Sequence, residues 1–343
     1  MGQKVKIIIA GIVVFVIGAS LGFLVEYEYS YQQTKQLIAG ISPIRENNFN
    51  YKYIFPLLRY DFGNAKYFLE NKTLEQKINA YIKQQYQAKN AQSISVYFSD
   101  FLNNQWSGVN ENVQYYPGSM MKVLIMMDYY REEQLDPSIK QKVLVYSNDI
   151  DQTLRASALA TPSNLTVGKG YTVEQLVENM IENSDNGAET LLLANDNRTI
   201  LNAIYKDLNI PGPVNGKDFT ISARDYSVFL RVLYNSTYLS EANSEAALSI
   251  MSQSTYKDGI YSGVPSNVAI AQKYGESLDT DSQGKTITGT ELHDCGIVYA
   301  RNSPYTLCIM TRAKGVVDQK QLATIIKDIS AIVYNYVTSS GGK

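Results

Sequence analysis

The sequence predicts an α+β fold built around one antiparallel sheet to which both ends of the folded domain contribute. Two segments in which apolar and polar residues alternate, 93–102 and 105–112, precede a long helical block. Three strand candidates follow that block, near 269–275, 294–300 and 305–312. This order predicts a five-stranded antiparallel sheet with a helical lobe inserted between its second and third strands.

Helices are expected on both sides of these strands. Residues 73–90 carry apolar side chains at helical spacing, and Thr73 is the expected N-cap of that helix. The inserted block, 119–239, is mostly helical in pattern. A final apolar-periodic segment, 318–337, predicts a closing helix.

The N-terminus predicts a membrane anchor. Lys4 and Lys6 precede an uncharged run at 7–25, whose length is close to the ~20 residues that span a bilayer, and Glu26 follows it. Positive charge before the run favours a cytoplasmic N-terminus and an extracytoplasmic body. A cleaved signal peptide is the alternative, and it also exports the body of the protein.

These patterns divide the chain into four parts. Residues 1–27 are predicted to form a cytoplasmic tip and a single transmembrane helix, and residues 28–72 a polar, tyrosine-rich stalk. The folded domain is predicted at 73–338, and 339–343 is expected to be a disordered tail. The expected location is the cell membrane, with the folded domain outside the cytoplasm.

Composition restricts the possible partners and cofactors. The formal net charge is −2 and no long basic block occurs, so nucleic acid is not an expected partner. One histidine and two cysteines supply too few of the usual ligands for a metal site. Cys295 and Cys308 lie on two strands joined by a turn, which is compatible with a disulfide and equally with two small buried side chains.

Ser119 and Lys122 are the first residues that suggest chemistry. Three residues apart on a helix they share a face, so the lysine amine can reach the serine hydroxyl. A serine needs a base to become a nucleophile, and a lysine acts as that base only when burial or nearby positive charge keeps it neutral. The apolar surroundings of Lys122, "MMKVLIMM", favour such burial. His293 is the only histidine, so a serine–histidine mechanism is not expected.

Two further motifs follow in order along the chain. Ser184-Asp185-Asn186 occurs in "MIENSDNGAETLLL", and Lys273-Tyr274-Gly275 occurs in a predicted strand. With the S-x-x-K motif, they make a sequence that resembles class A β-lactamases and penicillin-binding proteins. The resemblance covers about residues 73–338 and includes "YYPGSMMKVLIM" around the serine and a capping box at Thr172.

The resemblance implies a role for each residue. Ser119 would attack a carbonyl and form an acyl-enzyme, with Lys122 as its proton acceptor and Ser184 as a relay to the leaving nitrogen. Asn186 would hold the amide side chain of the substrate, and Lys273 would attract a substrate carboxylate. The backbone N–H groups of Ser119 and Glu276, the residue after Gly275, would form an oxyanion hole. Asp185 would be structural, and no cofactor would be needed.

The sequence departs from the family in the segment that normally carries the deacylating glutamate. Here "PGPVNGKD", residues 211–218, is short and contains no glutamate. Tyr274 replaces a small hydroxyl residue, and Glu276 adds negative charge beside the expected carboxylate site. Acylation is therefore expected to be intact, while deacylation and carboxylate recognition are doubtful.

The resulting expectation is a membrane-anchored serine hydrolase that is acylated by β-lactams or by D-alanyl peptides of peptidoglycan. The missing glutamate favours a peptidase or transferase over an efficient β-lactamase. Two alternatives stay open: a module that binds penicillin or wall fragments without turnover, and an inactive structural relative.

Overall fold

The structure is a computed structural model that describes residues 18, 20–22, 24–26, 42–45, 51–61, 69–155, 163–196, 198–213, 219–280 and 287–340. Most of the predicted anchor and much of the predicted stalk lie outside these residues, as does 341–343 in the predicted tail. Residues 339 and 340 of that tail belong to the last helix. Within the described residues, no helix combines the length and the apolarity needed to cross a membrane.

The strands, in chain order, are β1 (Ser42–Arg45), β2 (Leu57–Asp61), β3 (Leu69–Glu70), β4 (Ser93–Asp100), β5 (Gln105–Val109), β6 (Gln114–Tyr115), β7 (Val143–Val145), β8 (Gly170–Thr172), β9 (Ile221–Ser222), β10 (Ile270–Thr280), β11 (Ile287–Val298) and β12 (Tyr305–Lys314). The helices are α1 (Lys72–Gln87), α2 (Lys122–Leu135), α3 (Asn148–Arg155), α4 (Val173–Glu182), α5 (Asn186–Asn195), α6 (Thr199–Asp207), α7 (Ala223–Tyr234), α8 (Glu241–Ser252) and α9 (Gln319–Ser340).

The central sheet contains six strands of the described chain, in the spatial order β10-β11-β12-β4-β5-β3. The predicted mixture of early and late strands is confirmed, since β4 pairs with β12. The predicted strand number and the purely antiparallel arrangement are wrong, because β3 pairs with β5 in parallel. A strand of two residues is too short to show an alternating pattern, so periodicity could not reveal it.

The sheet separates two hydrophobic clusters. On one face, Ile94, Val96 and Phe98 of β4 pack in a cluster with apolar residues of α1 and α9. On the other face, the helical lobe forms a second cluster around α2, which reaches the sheet through Cys308 and Met310 of β12. The alternation of side chains along each strand supplies both faces.

The lobe is organised around α2, whose first nine residues, 122–130, are all buried. Nine consecutive buried residues mean that every side of the helix is covered, so the charged Lys122 at its start is held inside the protein. The predicted capping box is confirmed at the start of α4, where Thr172 and Gln175 cap each other's backbone.

Part of the predicted stalk is folded onto the domain. Tyr53 and Ile54 are buried, and the Glu245 carboxylate on α8 accepts hydrogen bonds from the backbone N–H groups of Lys52, Tyr53 and Ile54 at 2.8, 2.8 and 3.0 Å. The folded body therefore includes residues before 73. No periodic pattern in the sequence distinguished Tyr53, which is buried, from the other tyrosines of the predicted stalk.

The N-cap of α1 is Asn71, not Thr73 as expected from the sequence. The Asn71 side chain accepts from the N–H of Leu74 at 3.1 Å, and its own N–H bonds the carbonyl of Trp106. Because the adjoining β3 pairs with β5, that pairing holds Asn71 where the helix starts. Asparagine and threonine are both favourable N-cap residues, so the pairing of β3 with β5 determines which of them caps α1.

Cys295 on β11 and Cys308 on β12 lie directly opposite each other and form a disulfide. Both residues are fully buried. Of the two interpretations that the sequence left open, the structure has the disulfide.

Candidate active site

Ser119 lies in a tight 3₁₀ turn, Gly118–Met121, that leads directly into α2. The sequence predicted that Ser119 and Lys122 share one helix, whereas here Lys122 is the first residue of α2. Gly118 has φ +52°, and a Cβ added to it would lie 2.2 Å from the Glu276 carbonyl oxygen. A Cβ on Gly275 would lie 2.2 Å from the Pro117 carbonyl oxygen. The two glycines thus let the backbone of β10 touch the turn that carries Ser119.

Tyr116, two residues before this turn, is held by a buried network. Glu291 accepts the backbone N–H of Tyr116 at 3.0 Å, and His293 Nε2 donates to the Tyr116 carbonyl at 3.1 Å. His293 Nδ1 accepts the N–H of Thr311 at 3.2 Å, which assigns the proton to Nε2. Both ring nitrogens are engaged with backbone groups, so His293 serves the architecture rather than activating Ser119.

Lys122 Nζ lies among oxygen atoms at the base of the site. It is 3.0 Å from Ser119 Oγ, 2.7 Å from the Ser184 carbonyl oxygen and 2.5 Å from Asn186 Oδ1. Lys122 is fully buried. Burial lowers the pKa of Lys122 below its usual value, and the Glu189 carboxylate is the strongest opposing influence.

The contacts of Lys122 can be made by a neutral amine as well as by an ammonium group. A neutral amine has two N–H groups and one lone pair. The Ser184 carbonyl and Asn186 Oδ1 can only accept, so they take the two N–H groups. The lone pair is then available to the Ser119 hydroxyl at 3.0 Å, which is the contact that general-base activation requires.

Ser184 connects the two lysines of the motifs. Its hydroxyl accepts from Lys273 Nζ at 2.8 Å and lies 3.4 Å from Lys122 Nζ. Its backbone has φ +57°, a left-handed conformation that is uncommon outside glycine. In this conformation the carbonyl oxygen of Ser184 accepts a hydrogen bond from Lys122, and its hydroxyl oxygen accepts one from Lys273.

Asp185 is structural, as expected for an acid near a helix end. Its carboxylate caps α5 by accepting from the Ala188 N–H at 2.8 Å. It also accepts from the Ser163 hydroxyl at 2.8 Å and from the Asn164 N–H at 2.6 Å. The residue therefore fastens the loop at 163–164 to the site.

Lys273 is buried more deeply than its expected role requires. It is fully buried, and its Nζ lies 4.5 Å from the centre of the Tyr274 ring, which stacks on Tyr256 at 4.1 Å. Burial, reinforced by the nearby Lys122, lowers the pKa of Lys273 well below its usual value. Lys273 donates to Ser184 Oγ and is not among the described residues that line the cleft in front of Ser119.

An open cleft of about 590 Å³ gives access to Ser119. The described residues that line it are Ser119, Asn164, Asn183, Ser184, Asp185, Asn186, Tyr274 and Glu276. The structure thus brings Ser119, Lys122, Ser184, Asn186, Lys273, Gly275 and Glu276 together, as the motif order predicted. The charged side chains in this described lining are acidic, and Glu276 is the half-buried one on β10.

Sequence reasoning missed Glu189. Its Oε2 lies 3.4 Å from Lys122 Nζ, and its side chain is 25% exposed. Glu189 follows Asn186 by three residues on α5, so the spacing S-D-N-x-x-E places it on the side of the helix that faces the lysine. That spacing was the available signal.

Known proteins that are similar to this chain share its fold. A model of the β-lactamase enzyme family matches residues 73–337. An acyl-enzyme complex of a PBP-A mutant with penicillin G is similar in structure, with a TM-score of 0.66 and 19% identity over 80% of this chain and 99% of that one. No curated protein matches the sequence.

Two β-lactamases are similar to the chain at lower identity. The class A β-lactamase from Mycobacterium abscessus has a TM-score of 0.62 and 15% identity, over 77% of this chain and 99% of that one. The β-lactamase from Francisella tularensis has a TM-score of 0.62 and 16% identity, over 78% and 99%. At these identities the structures establish the fold, while the family model covers more than half of the chain. The chain therefore belongs to the β-lactamase enzyme family.

Proposed function

We propose that the protein is a serine hydrolase that forms an acyl-enzyme at Ser119 with β-lactams or with D-alanyl peptides of peptidoglycan. One observation carries the proposal: a fully buried lysine amine lies 3.0 Å from the Ser119 hydroxyl while two carbonyl-type oxygens occupy its N–H groups. A serine beside such an amine can lose its proton as it attacks.

The first step is attack on the substrate carbonyl. The Ser119 Oγ–C bond forms while the hydroxyl proton moves to the lone pair of Lys122. Negative charge develops on the carbonyl oxygen, and the backbone N–H groups of Ser119 and Glu276 are the proposed donors that stabilise it. The close contact between the turn and β10 supports this pairing.

The second step expels the leaving nitrogen. The C–N bond breaks, and the nitrogen takes a proton from the Ser184 hydroxyl, which is replenished from Lys122. The 3.4 Å separation between Ser184 Oγ and Lys122 Nζ is short enough for this relay after a small movement. Lys273, which donates to Ser184 Oγ at 2.8 Å, orients the hydroxyl.

Release of the acyl group is the slow step of the proposed reaction. The segment 211–218 contains no glutamate to activate water. Lys122, once it is neutral again, is the proposed activator of the water, and a bulky β-lactam fragment would block the approach of that water. A small D-alanyl peptide or thioester substrate is expected to turn over, whereas penicillin is expected to stay bound.

The proposal also places this activity outside the cytoplasm, on a membrane anchor formed by the apolar run at 7–25. The run's length and its flanking charges support the anchor. Peptidoglycan, the proposed natural substrate, lies in that compartment.

Intact-protein mass spectrometry tests the acyl-enzyme. The wild-type protein mixed with penicillin G is expected to gain the mass of one penicillin, and Ser119→Ala is expected to gain none while remaining folded. Lys122→Ala should retain the fold but lose about 10²–10⁴-fold in acylation rate, because general-base assistance has that size.

Three outcomes would argue against the proposal in different ways. Labelling of Ser119→Ala at the wild-type rate would exclude the assigned nucleophile. A wild-type protein that binds penicillin without a covalent adduct would favour the non-turnover binding module. Rapid penicillin hydrolysis without an accumulating adduct would show that deacylation is efficient, and the protein would be a β-lactamase.

A further inference from the structure

Lys122 has a charged partner that the proposed mechanism does not use. Glu189 Oε2 lies 3.4 Å from Lys122 Nζ, which is an ion-pair distance. The lysine side chain is fully buried and the glutamate side chain is 25% exposed, so this charge acts where water screens it poorly. Of the described acidic side chains, Glu189 alone comes within 4 Å of this amine.

The other charged groups around Lys122 are differently placed. Lys273 on β10 lies close enough for the two amines to repel each other when both are protonated, and this repulsion adds to burial in lowering the pKa of Lys273. Asp185 and Glu276 favour the protonated lysine from a greater distance, and Asp294 acts on Lys273. The Asp185 carboxylate is also already engaged in three hydrogen bonds.

We propose that Glu189 is the counter-charge that stabilises the ammonium formed at Lys122 when Ser119 gives up its proton. This inference rests on the proposed function. Glu189 lies outside the described lining of the cleft, so it acts through Lys122 and is a positioning residue. While the Oγ–C bond forms, the proton travels from Oγ to Nζ, and Glu189 balances the new positive charge. When the C–N bond breaks, the proton leaves through Ser184 to the nitrogen.

Such a counter-charge has two opposite effects on acylation. It makes Lys122 a stronger base, which speeds proton removal once the amine is neutral. It also raises the pH at which Lys122 becomes neutral, because an opposite charge at this distance favours the charged form. Glu189 therefore determines both the plateau and the midpoint of the pH–rate profile.

The substitution Glu189→Gln separates these effects, since it removes the charge and keeps the shape. Acylation by a fluorescent penicillin, followed by stopped flow from pH 5 to pH 10, should rise with pH as Lys122 loses its proton. In Glu189→Gln the midpoint is expected to fall by about one pH unit or more, because an adjacent opposite charge shifts a pKa by about 1–3 units. The plateau at high pH is expected to be lower than in the wild type.

Two controls make the result specific. Glu178→Gln removes an exposed carboxylate from the neighbouring helix α4 and should leave midpoint and plateau unchanged. Thermal unfolding of each variant verifies the fold. An NMR titration of ¹³C-labelled lysine side chains, with Lys122→Arg to assign the signal, measures the pKa of Lys122 without any substrate.

The outcomes separate the inference from the proposed function. A lower Lys122 pKa in Glu189→Gln, by NMR and by the acylation midpoint, supports the inference. An unchanged midpoint and an unchanged NMR pKa overturn it even if the wild type is acylated at Ser119. A wild type that is never acylated overturns the proposed function, and the NMR titration still decides whether Glu189 controls the protonation of Lys122. Loss of deacylation alone, with an unchanged midpoint, overturns the counter-charge role in favour of direct action on water.

Discussion

In the proposed mechanism Lys122 acts as the base, because burial removes the water that would otherwise stabilise its charge. Burial lowers the pKa of Lys122 while Glu189 favours its protonated form, and Lys122 in turn lowers the pKa of Lys273. The proposed mechanism therefore depends on the balance of a few charges. The same reasoning applies to Glu276, whose negative charge faces the cleft that the substrate must enter.

Glu276 is expected to slow acylation by substrates that carry a carboxylate. The substitution Glu276→Gln removes a like charge from the described lining, so acylation by penicillin G should become faster, by about three- to thirtyfold for 0.7–2 kcal/mol of lost repulsion. The measurement is the second-order acylation rate of each variant by stopped flow.

A neutral acyl donor supplies the matched control for this charge effect. The methyl ester of penicillin G has no carboxylate, and its rate should change by less than twofold between wild type and Glu276→Gln. Equal acceleration of acid and ester would mean that Glu276 acts by shape or by positioning the backbone, and not by repulsion.

At the scale of elements, the contact between the Ser119 turn and β10 positions the reacting groups. The turn is held from behind by Glu291 and His293, which bind the N–H and carbonyl groups of Tyr116. Strand β10 also packs directly against the turn, and this contact is possible because Gly118 and Gly275 have no side chains. Strands β10 and β11 thus hold the turn at Ser119, although both lie far from it along the chain.

Gly118→Ala is expected to reduce acylation about 10²–10³-fold, the effect of losing one oxyanion donor. The added Cβ would lie 2.2 Å from the Glu276 carbonyl oxygen, so the strand must move away from the turn. The check is the acylation rate with penicillin G, together with thermal unfolding to show that the variant is folded.

Gly168→Ala is the matched control for backbone strain. Gly168 also has a positive φ, +83°, but its added Cβ would meet no atom within 4 Å. It should cost about 1–2 kcal/mol in stability and leave the acylation rate unchanged. A similar rate loss in both variants would show that strain, not the contact with β10, explains the effect.

At the scale of the whole molecule, the chain before the domain adds to the folded body. Phe55 and Leu57 donate backbone hydrogen bonds to Tyr234 and Asn235 at the end of α7, both at 3.0 Å. The Glu245 carboxylate receives three further N–H groups from 52–54. Residues 51–57 are therefore part of the structure that supports the helical lobe.

Glu245→Ala is expected to lower the free energy of unfolding by about 1–3 kcal/mol, since the carboxylate accepts three backbone donors and a hydrogen bond to a charged group is worth that much. Urea unfolding measures the change. Acylation should persist at the wild-type rate below the transition, because Glu245 is not among the residues that line the cleft.

Glu241→Ala on the same helix is the corresponding control. It lies in the first turn of α8, where a carboxylate contributes about 0.3–1 kcal/mol through the helix dipole. If Glu245→Ala cost no more than Glu241→Ala, residues 51–57 would contribute little to stability.

The sequence by itself determined the family, and it predicted the order of the main elements and the members of the candidate site. Ser119, Lys122, Ser184 and Lys273 were recognisable because their chemistry requires particular residue types at particular spacings along helices and a strand. The capping box at Thr172 was predictable for the same local reason, since a cap involves residues only three positions apart. The expectation of weak carboxylate recognition, which rests on Tyr274 and Glu276, stays a prediction.

Only the tertiary structure decided the features that depend on distant contacts. It selected Asn71 as the cap through β3, placed residues 51–57 on α7 and α8, and formed the disulfide between opposed strands. It buried Lys273 behind Tyr274 and brought Glu189 to Lys122. The physical reason is common to these cases: local patterns show which face of an element is apolar, while charge state and burial depend on what packs against that face.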